Sequence, residues 1–164
     1  MGTINKKQIL IGTATLIIGL LIYFIDRQLN DTYLVYQISK GISLNDMVPG
    51  LFGPFGGILP AFIHVFSFSL ITAGLLGCGK KGYILISSSW LAIDLAFEFG
   101  QKFDILASGL IPNFFSGIPF LEASKDYFIS GAFDYYDLAA IVLGATAACL
   151  IIFKTIERRE YHEI

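Results

Sequence analysis

The chain has 164 residues, of which 55% are hydrophobic, 15% aromatic and 15% charged, with a net charge of −2. Its mean hydropathy is +0.70. A soluble domain carries about 25% charged residues, so this chain lacks the means to cover itself in water. The few charges and many aromatics exclude a disordered chain, a nucleic-acid binder and most soluble enzymes.

Four apolar blocks follow one another along the chain. The first, Ile9 to Ile25, reads ILIGTATLIIGLLIYFI and holds no charge. Lys6 and Lys7 precede it as in a signal peptide, but no small-residue cleavage pattern follows, so it reads as a retained span. The second lies within Leu51 to Gly77, the third runs from Tyr83 to about Gly100, and the fourth from about Leu138 to Phe153. Tyr135 and Tyr136 extend the last into the interface. Each block is near the ~20 residues a helix needs to cross hydrocarbon. None alternates apolar with polar, which excludes membrane strands. The expected fold is all-α, a four-helix transmembrane bundle forming one domain over residues 1–164, with spans near 9–25, 55–77, 83–101 and 135–153.

Orientation follows from the Lys and Arg residues. Lys6, Lys7, Lys80, Lys81, Lys154, Arg158 and Arg159 fall on one side, against Arg27, Lys40, Lys102 and Lys125 on the other. Both termini are therefore expected in the cytoplasm. The first outer connection, 26–50, is polar and then turn-rich. The second, 101–133, is long and apolar, with LIPNFF and IPFLEA in it, and reads as a partly re-entrant or interfacial segment. The inner turn CGKKG makes spans two and three antiparallel neighbours. Cys78 and Cys149 both fall toward the cytoplasmic side, where no structural disulfide is expected.

The third span carries Asp94, Glu98 and Gln101, spaced so that all three share one helical face with Ser87 and Trp90. An ionisable group at mid-span costs about 2.5–3.5 kcal/mol on insertion scales. Two carboxylates so placed repel each other, so a cationic partner or a retained proton is needed. Counting at 1.5 Å per residue puts His64 roughly 9 Å, Asp94 about 10 Å and Glu98 about 5 Å below the outer boundary. Asp134 and Asp137 open the fourth span on the same side, where acids favour the helix dipole. His64, Asp94, Glu98, Gln101, Asp134 and Asp137 thus form the candidate ligand-binding set. Asp134 also reads as a plain N-cap with Asp137 at N3. Asp94 is the hardest to explain structurally, being too deep to snorkel. The set lacks the second His or Cys of a metal site, and no Ser or Cys nucleophile stands in a recognisable context. No cofactor is expected.

LPAFIHVFSF around His64, EFGQ from Glu98 to Gln101 and GAFDYYDLAAIVLGATAA from Gly131 to Ala148 resemble, in order, the motifs of the VanZ-like family of small bacterial membrane proteins. The matching positions are His64, Glu98, Gln101, Phe133, Asp134, Asp137 and Gly144. The chain departs from the family pattern before Phe133, where Gly131 and Ala132 stand in place of the family's Arg, and at Ile141, where the family has Asn; its outer connection is also longer. The resemblance implies a four-span protein of the bacterial inner membrane, linked in some members to resistance against glycopeptide or lipid-directed antibiotics.

The leading expectation is a non-enzymatic protein whose outer-leaflet polar pocket takes a lipid-linked or amphiphilic envelope ligand, with membrane lipids as partners. A second is a structural or sensing subunit, for example in phage defence. It would form a homo-oligomer or dock a cytoplasmic partner at Lys80, Lys81 and the tail from Lys154. A third is an enzyme acting on a lipid headgroup.

Overall fold

The structure, a computed structural model, describes residues 3–26, 50–118, 121–122 and 124–160. The polar connection over 27–49, with Arg27 and Lys40, and the last four residues of the tail lie outside them.

Four long helices carry the fold: α1 (Lys6–Asp26), α2 (Pro54–Leu76), α3 (Lys80–Lys102) and α6 (Tyr135–Glu160). All four are long and apolar enough to cross a membrane, the last over Tyr135–Ile156. They extend the expected spans by a few residues at most ends, because polar residues such as Lys6, Lys80, Lys102 and Lys154 continue a helix beyond its apolar core. Among the described residues there is no strand.

Asn5 starts α1 beside the end of α2, its N–H donating to Gly74 O at 2.8 Å. At the opposite end Asp26 closes α1 over the start of α2, where Oδ1 accepts the Phe52 N–H. The chain therefore runs up, down, up and down. Helix α2 is the hub: α1 packs along one side of it, α6 along another, and α3 touches both α2 and α6. The core is Phe66, Leu70 and Ala73 of α2, Tyr83 and Ile86 of α3, and Ala148 and Ile152 of α6.

Small residues set how close these helices come. Ala140, Gly144 and Ala148 stand four apart on α6, all buried against the bundle. A Cβ added at Gly144 would stand 2.5 Å from Phe62 O, which is backbone and has nowhere to go. Gly12 does the same on α1, 2.8 Å from Ser67 O. In hydrocarbon, where apolar surface alone drives no association, such close backbone approach supplies the packing. Between α2 and α3 the turn is short, since Gly77 adopts φ 54° and caps α2 in the left-handed region.

The connection between α3 and α6 is built of short helices: α4 (Asp104–Leu110), a 3-10 turn (Asn113–Gly117) and α5 (Ser124–Ser130). Ile105, Leu106, Leu110 and Phe114 are exposed on it. Helix α5 is held to α3 by Phe128 stacked on Phe97, with centroids 5.7 Å apart.

Replacing Gly144 by Val should separate α6 from α2 and cost about 1–3 kcal/mol. Thermal unfolding in detergent should show a lowered midpoint for Gly144→Val. Gly109→Ala, at a position with open space around it, should leave the midpoint unchanged.

Candidate functional site

Asp94 lies eight residues before the end of α3, about 12 Å from that end. It is 8% exposed, and its carboxylate meets the imidazole of His64 on α2. His64 Nδ1 stands 3.0 Å from both carboxylate oxygens, donating between them. A carboxylate at this depth is costly unless paired, and His64 is the partner that α2 brings to its level. The contact also orients the ring, leaving Nε2 facing away from Asp94.

The His64 side chain is 48% exposed, so the pair is open on one side. Phe68, one turn along α2, lies 4.5 Å from the imidazole centroid. Trp90, one turn before Asp94, meets the ring edge-on at 6.1 Å. Phe68 and Trp90 stack on each other at 4.8 Å, and the indole N–H donates to Thr72 Oγ1. The dyad therefore has an aromatic floor whose indole hydrogen bond is already made.

A second pair forms one turn further along α3. Glu98 is 6% exposed, and its Oε1 accepts the backbone N–H of Asp134 at 2.8 Å. Asp134 is the N-cap of α6, as expected, with Oδ1 accepting the Tyr136 N–H at 2.9 Å. In a capping box the N3 side chain reaches back to the N-cap N–H. Here that bond comes from Glu98 on another helix, and Asp137 at N3 is half-buried. Gln101 packs on Gly131: a Cβ there would lie 2.6 Å from the Gln101 amide and from Tyr127 O. Of the six expected residues, the structure joins His64 with Asp94 and Glu98 with Asp134. No bond links the two pairs among the described residues.

Tyr127 of α5 was not among the residues expected at this site. Burial pushes its phenol up to about 12, with Tyr23 and the carboxylates of Glu98, Asp94 and Asp137 adding to the shift. Its signal in the sequence is weak, because it stands in a connection with no period to aim it. Lys102 turns elsewhere, its ammonium 4.7 Å over the Phe133 ring and 5.5 Å over that of Tyr135. Two surface grooves lie apart from the dyad, one along Lys102–Leu110 and one around Pro112, Phe115 and Lys125. Among the described residues no group of three or more His, Cys, Asp or Glu side chains is gathered to hold a metal ion.

The other end of the bundle has its own polar knot, also unforeseen. Gln8 is fully buried, and its Nε2 donates to Thr155 Oγ1 at 2.8 Å, tying α1 to α6. Gln8 follows two lysines and precedes the first apolar block, so nothing in its local sequence points to burial.

Four apolar spans around a paired, buried carboxylate mark the chain as a multi-pass membrane protein, helical and without strands among the described residues. The chain matches no protein-family model, no curated protein and no solved structure.

The Glu98–Asp134 bond yields a graded expectation. Glu98→Ala strands a half-buried N–H and should lower stability by about 1–3 kcal/mol. Glu98→Gln keeps an acceptor and should lose less. Thermal unfolding of both variants in one detergent, with amide exchange at Asp134, reads the difference.

Proposed function

We propose that this chain is a VanZ-like protein of the bacterial inner membrane, with both termini in the cytoplasm, that receives a lipid-linked or amphiphilic envelope ligand in the outer-leaflet half of its bundle. The observation that carries this reading is the His64–Asp94 dyad, set deep within two spans yet half-exposed on its imidazole side. A group reaching that imidazole at such depth comes either through the bilayer or by way of a polar cleft, and an amphiphile suits both routes.

The short helices between α3 and α6 support the same reading. Their exposed Ile105, Leu106, Leu110 and Phe114 suit headgroup depth, next to the end where Glu98 and Asp134 meet. The orientation rests on Lys6, Lys7, Lys80, Lys81 and Lys154 at the opposite end. The family likeness draws support from His64, Glu98, Gln101 and Asp134 belonging to one end of the bundle. Where Gly131 and Ala132 stand in place of the family's Arg, Gly131 leaves no room for a side chain beside Gln101, and where the family has Asn, Ile141 is buried in the core. A ligand contact made through those two family residues is therefore not carried over to this chain.

Lipids extracted from the purified protein test the proposal. The wild type should retain an amphiphile that Asp94→Ala and Glu98→Ala variants lose or retain less of. Identical co-purifying lipids in all three would remove the proposal.

A further inference from the structure

We propose that the ligand of the His64–Asp94 dyad carries an ammonium group, making it a cationic amphiphile and not a phosphate-headed anionic one. This rests on the reading that the dyad receives an amphiphile, and it names the headgroup chemistry.

The hydrogen-bond pattern comes first. Nδ1 is committed to both oxygens of Asp94, so a ligand meets the imidazole at Nε2, which has no partner among the described residues. In the tautomer that donates from Nδ1 to the carboxylate, Nε2 carries the lone pair. A lone pair calls for an N–H or O–H donor, which an ammonium or a hydroxyl supplies and an ionised phosphate does not.

The aromatic floor decides between those donors. Phe68 and Trp90 lie beside the imidazole, and the Trp90 N–H is already engaged by Thr72. What these rings still offer is the negative face of their π systems, which attracts a cation within about 6 Å. A bare hydroxyl gains less from such a face.

The charges around the dyad point the same way. Asp94 is buried, Glu98 is buried one turn beyond it, and Asp134 and Asp137 stand at the start of α6. The basic residue at that end of α3, Lys102, lies two turns past Asp94 and is turned over Phe133 and Tyr135. A phosphate would have to approach these carboxylates against their charge. An ammonium brings a positive charge to these carboxylates.

Trp90 is the sole tryptophan of the chain and reports directly on the dyad. Its fluorescence is followed while purified full-length protein, in a neutral detergent, is titrated with dodecylamine, dodecyltrimethylammonium, dodecanol or dodecyl phosphate. In the unmodified protein, dodecylamine should act at concentrations ~10-fold or more below those of dodecyl phosphate and dodecanol. Dodecyltrimethylammonium, a cation without an N–H, should fall between dodecylamine and dodecyl phosphate. His64→Phe and Asp94→Asn should each erase the preference for the amine. Dodecyl phosphate or dodecanol equalling dodecylamine, with a response that still depends on His64, overturns the ammonium and leaves the amphiphile reading standing. The absence of any His64-dependent response to all four probes removes both. The ranking within the unmodified protein needs no variant, so it holds even if one substitution impairs folding.

Discussion

A carboxylate inside a hydrocarbon-length helix has to be answered by something, and Asp94 is answered by His64. That requirement organises the bundle. Insertion of an aspartate at mid-span costs about 2.5–3.5 kcal/mol, so α3 is a poor membrane helix until α2 is beside it. The Gly77–Gly79 turn makes the meeting automatic. His64 stands about 20 Å back along α2 from that turn, and Asp94 about 22 Å onward along α3. The two side chains thus arrive at one level as soon as the hairpin closes, and pairing them adds little further ordering cost.

The same end depends next on how closely α6 approaches. Gly144 lets α6 lie against the backbone of α2 at Phe62, with Ala140 and Ala148 continuing the flat strip on either side. With α6 held there, its first residues reach α3, and the Asp134 N–H finds Glu98. Glu98 therefore acts as a cap from a neighbouring helix, giving a buried carboxylate a donor and a helix N-terminus an acceptor. The Gln8–Thr155 bond at the opposite end closes α1 onto α6 in a comparable way, with uncharged groups. One end of the bundle is locked by neutral amide and hydroxyl groups; the other is held by ionisable ones with an open face.

The spans, their alternating direction and the level of His64 with Asp94 were legible in the sequence. Hydrophobic length and a short turn constrain them directly. The Asp134 cap was legible for the same local reason. The partner of its N–H was not: Asp137 stands at the right spacing for a capping box, yet the bond comes from Glu98, 36 residues away. Gln8 with Thr155, Tyr127 among the carboxylates and Gly131 against Gln101 are likewise contacts between separate elements. No helical period points across such distances, so only the packed structure brings them together. Of the six residues expected to form one cluster, four divide into two pairs, because Glu98 is drawn to the start of α6 and His64 to Asp94.

The most direct test of this account is the His64–Asp94 contact itself, measured in a lipid bilayer. Solid-state NMR with 15N-labelled histidine and 13C-labelled aspartate reads the coupling between the His64 ring nitrogen and the Asp94 carboxyl carbon, assigned with Asp94→Asn and the shift of Nδ1. The account predicts a strong coupling at the separation set by a 3.0 Å hydrogen bond, with Nδ1 as the protonated nitrogen. A His64 ring without coupling to Asp94, or one that presents Nε2 to it, would contradict the account.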